Sequence, residues 1–504
     1  MNIVDQVVEF FSPERALLRM SHRSAIDQLR RYEAGSYSKR TGNWNPSRSD
    51  ATTEVAGASP LLRSRARQMV RDNAWANRGA RVIRTNVVGR GIKLNIDGKS
   101  AAAVDTLEKL WRSWAGTRDC DHYGRQDFYG IQRQIVQAKL VDGEVLVMRE
   151  RLDDDSPVPF RLVVLEADYL APEGLIAAGG TLTGNYIEHG IEYNRSGEVV
   201  AYHLHKSHPG SATRITTGLD IMRVPAEDIL HIFSAERPGQ GRGASGMASA
   251  MIRLRDLDDY EDAQIMRQKV ASCYSVFIHD QPGGRATNQV SGYPLERLEP
   301  GMIERLGPGE TISFADPPET TEYESFTRRI LQAIAAAFGI SYESLTNDYS
   351  NVNFSSGRMG WIEMQRNIEE WQDDIVIGQL GRGVWHWFVE AAVITGQISA
   401  ASVPGLQVHW TPPRRHMIDP VKETEGVIAQ IRARLITWRD AVQQMGYDPD
   451  AMLDQFKADQ ESFDERELVS ASDPRYDANK ANLAEGTQIK QSPNFSKPFA
   501  NTNK

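Results

Sequence analysis

The sequence predicts an α+β protein in which a block of short strands is set among long helices. Two observations carry that expectation. Five short runs rich in apolar and β-branched residues, Glu144–Arg149, Phe160–Leu165, Ile187–Tyr193, Val199–Leu204 and Ile229–Phe233, are bounded by turn residues. Stretches at 61–87, 245–272, 322–338 and 359–394 instead space their apolar residues at three and four, as helices do.

The 504 residues amount to about three or four domains of chain. A composition of 40% apolar and 25% charged residues is ordinary for a soluble protein and supplies a sizeable core. Cys120 and Cys273 are the only cysteines, which excludes a disulfide framework or a cysteine-only zinc site and suits a reducing compartment. No apolar run approaches the roughly 18 residues of a membrane span. Asp5 and Glu9 stand where an export signal needs basic residues, so none is expected; Ile3 to Phe11 suit a short amphipathic packing helix. The net charge of −9 is unevenly placed. Residues 1–125 hold 22 Lys and Arg against 13 Asp and Glu, whereas the remainder holds 36 against 54. A basic N-terminal part on an acidic body suggests self-association through unlike surfaces, or nucleic-acid contact confined to one part.

Taken in order, residues 37–60 are polar and read as an arm or linker with Trp44 as an anchor. Leu61–Val87 reads as one helix ending near Gly89 and Gly91. Its seven arginines, from Arg63 to Arg84, suit a face that pairs with acids better than one that grips phosphate. Val104–Trp114 and Arg125–Leu140 read as helices ahead of the strand block, in which Asn194–Gly197 makes a hairpin turn. His203 and His205 share a strand face, with His208 just beyond, as a metal site could use. No Asp, Glu or Cys follows within a few residues and Lys206 opposes a cation, so these histidines read as structural and no metal is expected.

The chain is organised around Ile229–Ser272. A strand, ILHIF, runs into a corner made by Pro238, Gly239, Gly241 and Gly243. The 28 residues from Ser245 contain no Pro and no Gly after Gly246, enough for a helix of roughly 40 Å. Asp256, Asp258, Asp259, Glu261 and Asp262 give it a charged face. A helix charged around most of its girth needs neighbours, and identical copies supply them. Gly241–Gly246 also fits G-x-G-x-x-G. The ribose-binding acid of a dinucleotide site should end a second strand after a crossover helix, whereas Glu261 and Asp262 sit inside one helix. No cofactor is expected.

Tyr274–Ile278 then reads as a strand, Gln281–Arg285 as a turn, and 282–320 as a Pro- and Gly-containing segment with strands at Met302–Leu306 and Thr311–Phe314. Glu322–Phe338 is a helix ended by Gly339. Asn347–Gly357 is rich in Asn and Ser with one charge, Asp348, and reads as a loop. Met359–Ile394 is helical, with Trp361, Trp371, Trp385 and Trp387 used for packing and Gly378, Gly381 and Gly383 predicting a kink or break. Leu406–Trp410 is a strand. Helices follow from Asp419-Pro420 to Leu435, over Thr437–Met445 and from Pro449 to about Leu468, before a polar tail expected to be disordered.

Five segments in order resemble the lambda-family portal proteins of tailed phages. They are RSRARQMVRDNAWANRGARVIRTNVVGRGI at 63–92, DGEVLVMRE at 142–150, RPGQGRG between ILHIF and the long helix, LEPGMIERLGPGE at 298–310, and SYESLTNDYSNVNFSSGRMG at 341–360. The likeness spans roughly residues 25 to 460. It implies a portal fold: an arm at 1–60, an α/β wing at 61–242, a first stem helix at 243–273, and a small β-rich clip at 274–320. A second stem helix at 321–339, a tunnel loop at 340–357, and a long kinked helix returning to the wing at 358–418 follow. An α-helical crown at 419–468 and the tail at 469–504 complete it. The resemblance also implies a homo-oligomeric ring, typically of twelve copies, at a capsid vertex, assembled in the host bacterial cytoplasm and carried in the virion. Its partners would be double-stranded DNA in transit, the large terminase subunit, a neck or head–tail adaptor, and the major capsid and scaffolding proteins, with no membrane. Asn347, Asn351, Asn353, Ser355, Ser356 and Arg358 would then line the channel.

Two other readings compete. An enzyme acting on nucleic acid should show a G-x-x-x-x-G-K-[ST] loop, a G-x-S-x-G elbow or His-Glu-x-x-His, and the sequence has none of them. A dispersed acidic metal cluster is left open by sequence alone. A different capsid or neck component would have no use for the helix, clip, helix, polar loop and long helix in series.

Overall fold

The computed structural model describes residues 42–172, 184–213, 220–272, 276–280, 310–314, 323–413 and 419–466, with Pro13, Glu14, Leu18, Lys39 and Leu468 as isolated positions. The helix expected at 3–11, the turn at 281–285, the strand at 302–306 and the tail from 470 lie outside these residues. Contacts divide the chain into two units, 1–57 with 236–241, and 58–235 with 242–504.

Helix α1 runs over Ala51–Asp72, starting well inside the segment that composition alone marks as an arm. The Asp50 carboxylate explains the early start: it accepts from the Thr53 amide at 2.9 Å and the Thr53 hydroxyl at 2.7 Å. Pro60, the last residue of the segment read as linker, lies within α1. Helix α2, Ala74–Val87, follows after one residue. That residue, Asn73, accepts from the Ala76 amide at 2.7 Å, so the single helix expected over 61–87 is two helices joined at a cap. Strand β1, Lys93–Gly98, pairs antiparallel with β11, Leu406–Thr411, a partnership between distant residues that local pattern cannot reveal.

Helices α3 (Ala101–Ala115) and α4 (Phe128–Asp142) precede the strand block. Strands β2 (Glu144–Arg151), β3 (Phe160–Glu166) and β8 (Ile229–Phe233) form one antiparallel sheet with β2 in the centre. A second sheet is a meander of β4 (Tyr186–Glu188), β5 (Ile191–Tyr193), β6 (Val199–His205) and β7 (Ile221–Pro225). The run read as one strand over 187–193 is split by a tight turn with His189 at φ 49° and Gly190 at φ 85°. Strand β7 was not anticipated.

The main core joins α2 to α4, the first sheet and the later long helix. Trp111 meets Phe128 and Phe388 edge-on, at centroid distances of 5.3 and 5.0 Å, and Trp114 lies 4.7 Å from Phe160. A smaller core under Leu146, Ile191, Leu204 and Ile229 holds the two sheets together.

Helix α5, Ala248–Ser272, is followed by the antiparallel pair β9 (Val276–Asp280) and β10 (Glu310–Phe314), then by α6 (Tyr323–Phe338) and α7 (Tyr342–Thr346). Met251, Leu254 and Leu257 form the buried stripe of α5, and Tyr260 stacks with Tyr323 of α6 at 5.9 Å. Helix α8, Phe354–Trp371, continues through a π-helical segment at Gln372–Gly381 into α9, Arg382–Ile394. The expected kink site is thus a change of hydrogen-bond register rather than a break. The Gln379 amide docks on the backbone of Phe233, accepting from its N–H at 3.0 Å and donating to its carbonyl at 2.9 Å. Among the four tryptophans of this stretch, Trp387 is buried and donates to the Glu227 carbonyl at 2.9 Å, and Trp371 lies under the Lys139 ammonium at 3.8 Å. Three helices close the described chain: α10 (Pro420–Arg432), α11 (Trp438–Gln444) and α12 (Pro449–Glu465).

Candidate functional site

The corner before α5 is held from within each unit. In the first, the Gly241 amide donates to the Thr52 hydroxyl at 2.9 Å, and the Gln240 side chain accepts from the amides of Glu236 and Arg237. Arg237 pairs with Glu54 at 2.9 Å, and Gly239 takes φ 78° after Pro238. In the second unit Arg242 turns inward. Its guanidinium grips the fully buried Glu144 carboxylate at the head of β2, with Nε 3.0 Å from both oxygens. The same carboxylate accepts from the Gly243 amide at 2.8 Å and faces His231 Nε2 at 3.0 Å and Arg63 at 3.4 Å. Burial pushes the Glu144 carboxyl up, but Arg242 and His231 outweigh it and hold the group well below the usual carboxylate range. Gly243 and Gly143 pass back to back. A Cβ on Gly243 would lie 2.3 Å from the Gly143 carbonyl oxygen, and Gly143 itself takes φ 94°. The G-x-G-x-x-G match is therefore a packing corner that delivers an arginine to a buried acid.

The network continues outward. Arg67 forks onto Asp142 at 2.8 Å and also reaches Asp168 at 2.7 Å and Glu166 at 3.1 Å, while Arg63 lies 3.4 Å from Asp168. His208 Nε2 is 3.0 Å from Glu166. Glu166, Asp168 and His208 thus converge with metal-like geometry. Arg67 already occupies the two carboxylates, so the trio is best described as part of an ion-pair chain running from α1 to the strands. The acids near His208 come from the end of β3 and the turn just after it, not from the sequence following His208, which is why sequence reading missed them. His203 bonds Glu192 at 3.1 Å, and His205 is buried, its imidazole pushed below the usual value by desolvation.

On α5, Asp256, Asp259 and Asp262 are exposed; Asp258 accepts from the Asn73 side chain at 2.7 Å. Glu261 is half-buried, and burial and then Asp258 raise its pKa.

The polar loop is shorter than its composition suggests. Asn347, at φ 58°, ends α7, and Asn353 begins α8. Asn353 and Ser356 form a reciprocal cap: the Asn353 oxygen accepts from the Ser356 amide at 2.8 Å, and the Ser356 hydroxyl accepts from the Asn353 amide at 3.2 Å. Ser355, Ser356 and Arg358 stand on the first turns of α8. The Asn347 side chain accepts from Arg78 at 2.8 Å, and Asn351 faces Arg328. Of the six candidates, Ser355 and Arg358 are exposed without such a tie, alongside Tyr349. Sequence reasoning missed Arg78, Arg328, Glu144 and Arg242 as organisers. The one available signal was Glu144, a lone acid opening an apolar strand.

Residues 37–372 match the family model of the lambda-family phage portal proteins. The chain is 26% identical over 432 residues to the probable portal protein of Halomonas phage phiHAP-1, which covers 82% of each chain. It is 22% identical over 455 residues to portal protein B of Escherichia phage lambda, covering 81% of this chain and 84% of that one. A solved chain from the neck of a native gene transfer agent particle is similar over 80% of this chain and 100% of its own, at 16% identity and a TM-score of 0.45.

Proposed function

The chain belongs to the lambda family of phage portal proteins, and from that premise we propose that it closes into a ring of twelve copies at one capsid vertex, through which double-stranded DNA is packaged and later ejected. In this reading α5 and α6 are the stem around the channel. The segment 274–320 between them is the clip, on which the large terminase subunit docks during packaging and the neck adaptor docks afterwards. Residues 61–242, with the return through 358–418, form the wing, which meets major capsid and scaffolding proteins. Residues 419–468 form the crown. The ring assembles in the bacterial cytoplasm and remains in the virion.

The observation that supports this reading is the order of elements inside the family match: helix, two-stranded pair, helix, Asn- and Ser-bearing loop, long helix. The protein's work is positioning, not covalent chemistry. Most amides and hydroxyls at 347–356 are held by the α8 cap, Arg78, Arg328 and Asp348. A passing phosphate therefore meets a fixed polar surface with the Ser355 hydroxyl exposed on it, without the counterion release that makes Lys and Arg grip, and successive contacts exchange freely. A closed ring needs two unlike matching faces on each copy. The basic N-terminal part and the exposed acids Asp256, Asp259 and Asp262 on α5 supply charges of opposite sign for them. Native mass measurement and class averages of the purified assembly test this: a closed ring with a central channel is expected, and a monomer or an open polymer overturns it.

A further inference from the structure

The loop from Asn347 to Asn353 carries one formal charge, Asp348, and that charge is answered from another element. Arg328, on α6, places its guanidinium 3.4 Å from the Asp348 carboxylate and 5.4 Å from the centroid of the Tyr342 ring. Its two terminal nitrogens also reach the Asn351 side-chain oxygen at 2.8 and 3.0 Å, with the amide turned so that oxygen faces the cation. The Tyr342 hydroxyl donates to the same Asp348 oxygen at 3.1 Å, while the other Asp348 oxygen accepts from the Ser350 amide at 3.1 Å and from the Ser350 hydroxyl. One side chain of the second long helix therefore holds both the entry of the loop and its middle.

We propose that Arg328 is a latch, a positioning residue that pins the loop to α6 through Asp348 and Asn351 and cancels the loop's only formal charge, so that the loop offers a duplex an uncharged surface. The pinning follows from contacts within one chain. The electrostatic half rests on the reading that this loop faces DNA. An uncompensated Asp348 would repel phosphates within a screening length of about 8 Å at physiological salt, and the repulsion would recur in every copy of the ring. With Arg328 in place the acid and the cation form a local dipole whose field falls off faster than that of a bare charge.

Two readouts separate the halves. In the assembled protein without DNA, hydrogen exchange of the amides of 348–352 reports the latch alone. Arg328→Gln is expected to speed it roughly three- to tenfold, the size of effect expected from losing a half-exposed ion pair with its hydrogen bonds. Asp348→Asn, which leaves α6 untouched, should also speed it and serves if Arg328→Gln fails to assemble. Unchanged exchange in both variants overturns the latch. In phage carrying the same changes, Arg328→Gln should slow DNA packaging, most at low ionic strength, and Arg328→Gln with Asp348→Asn should recover most of the rate. A double variant as slow as Arg328→Gln overturns the charge-cancelling role. Faster exchange with packaging unchanged in all variants keeps the latch and removes the loop from the DNA path, which counts against the functional reading instead.

Discussion

Replacing Glu144 with Gln exchanges one carboxylate oxygen for an amide inside a site with no access to water. The change removes the anion that faces Arg242, Arg63 and His231, and weakens the acceptor of the Gly243 amide. Breaking a buried pair by neutralising one partner costs about 3–5 kcal/mol, because the remaining charge stays buried. Gln keeps one carbonyl oxygen to accept from Arg242, so the lower end, about 3 kcal/mol, is expected. That is a large share of the ~5–15 kcal/mol that holds a typical protein folded. The loss should be local, at the junction of β2, β8 and the approach to α5. Hydrogen exchange resolved by segment is therefore the assay. Amides of β2 and β8 that open through this junction should exchange roughly a hundredfold faster in Glu144→Gln, the rate ratio that about 3 kcal/mol implies. Arg242→Gln should act similarly, and the double variant should cost less than the sum, since the two groups share one interaction. Exchange within threefold of the parent in Glu144→Gln would refute the claim that this carboxylate anchors the corner.

Two further predictions use other parts of the chain. The Arg223 guanidinium holds Glu192 down to about 2, so the pair's contribution is full above the unfolded carboxyl value of ~4.3 and is lost as pH falls from there towards 2. Acid titration followed by exchange in β4 to β7 should show that loss in the parent and a flatter profile in Arg223→Gln; equal profiles contradict it. Ser355→Lys adds a cation to an exposed position without touching the Asn353–Ser356 cap. It should leave assembly intact and reduce packaged DNA yield severalfold, whereas Asn353→Lys should also cost about 1 kcal/mol through the lost cap; normal yield from Ser355→Lys counts against the loop's role.

The elements that pattern reading found are those whose signal is local. The strands of 144–166, the hairpin turn at Asn194–Gly197, the unbroken α5 and the weak point at Gly378–Gly383 all follow from spacing and from breakers in their own neighbourhood. What escaped depends on partners far away in sequence. Strand β1 exists because β11 lies beside it, and α1 runs through Pro60, an interior position that local propensity disfavours. The turn at His189–Gly190 was hidden because apolar residues on both sides continue the strand pattern across it. At the loop, Asn and Ser composition marked polarity correctly but not use. Asn353 and Ser356 spend their side chains on a helix cap, and Asn347 and Asn351 spend theirs on Arg78 and Arg328. The corner glycines were legible as a tight turn. Their purpose, carrying Arg242 to Glu144, required the position of β2.

The central claim is that the Asn347–Asn353 loop borders the path of the duplex. A photo-crosslinking residue placed at Tyr349, which is exposed at the loop's outer edge, tests it in DNA-filled particles. The account predicts covalent attachment to DNA from Tyr349 and none from Ile394, which is exposed at the far end of α9. Attachment from Ile394 with none from Tyr349 would contradict it.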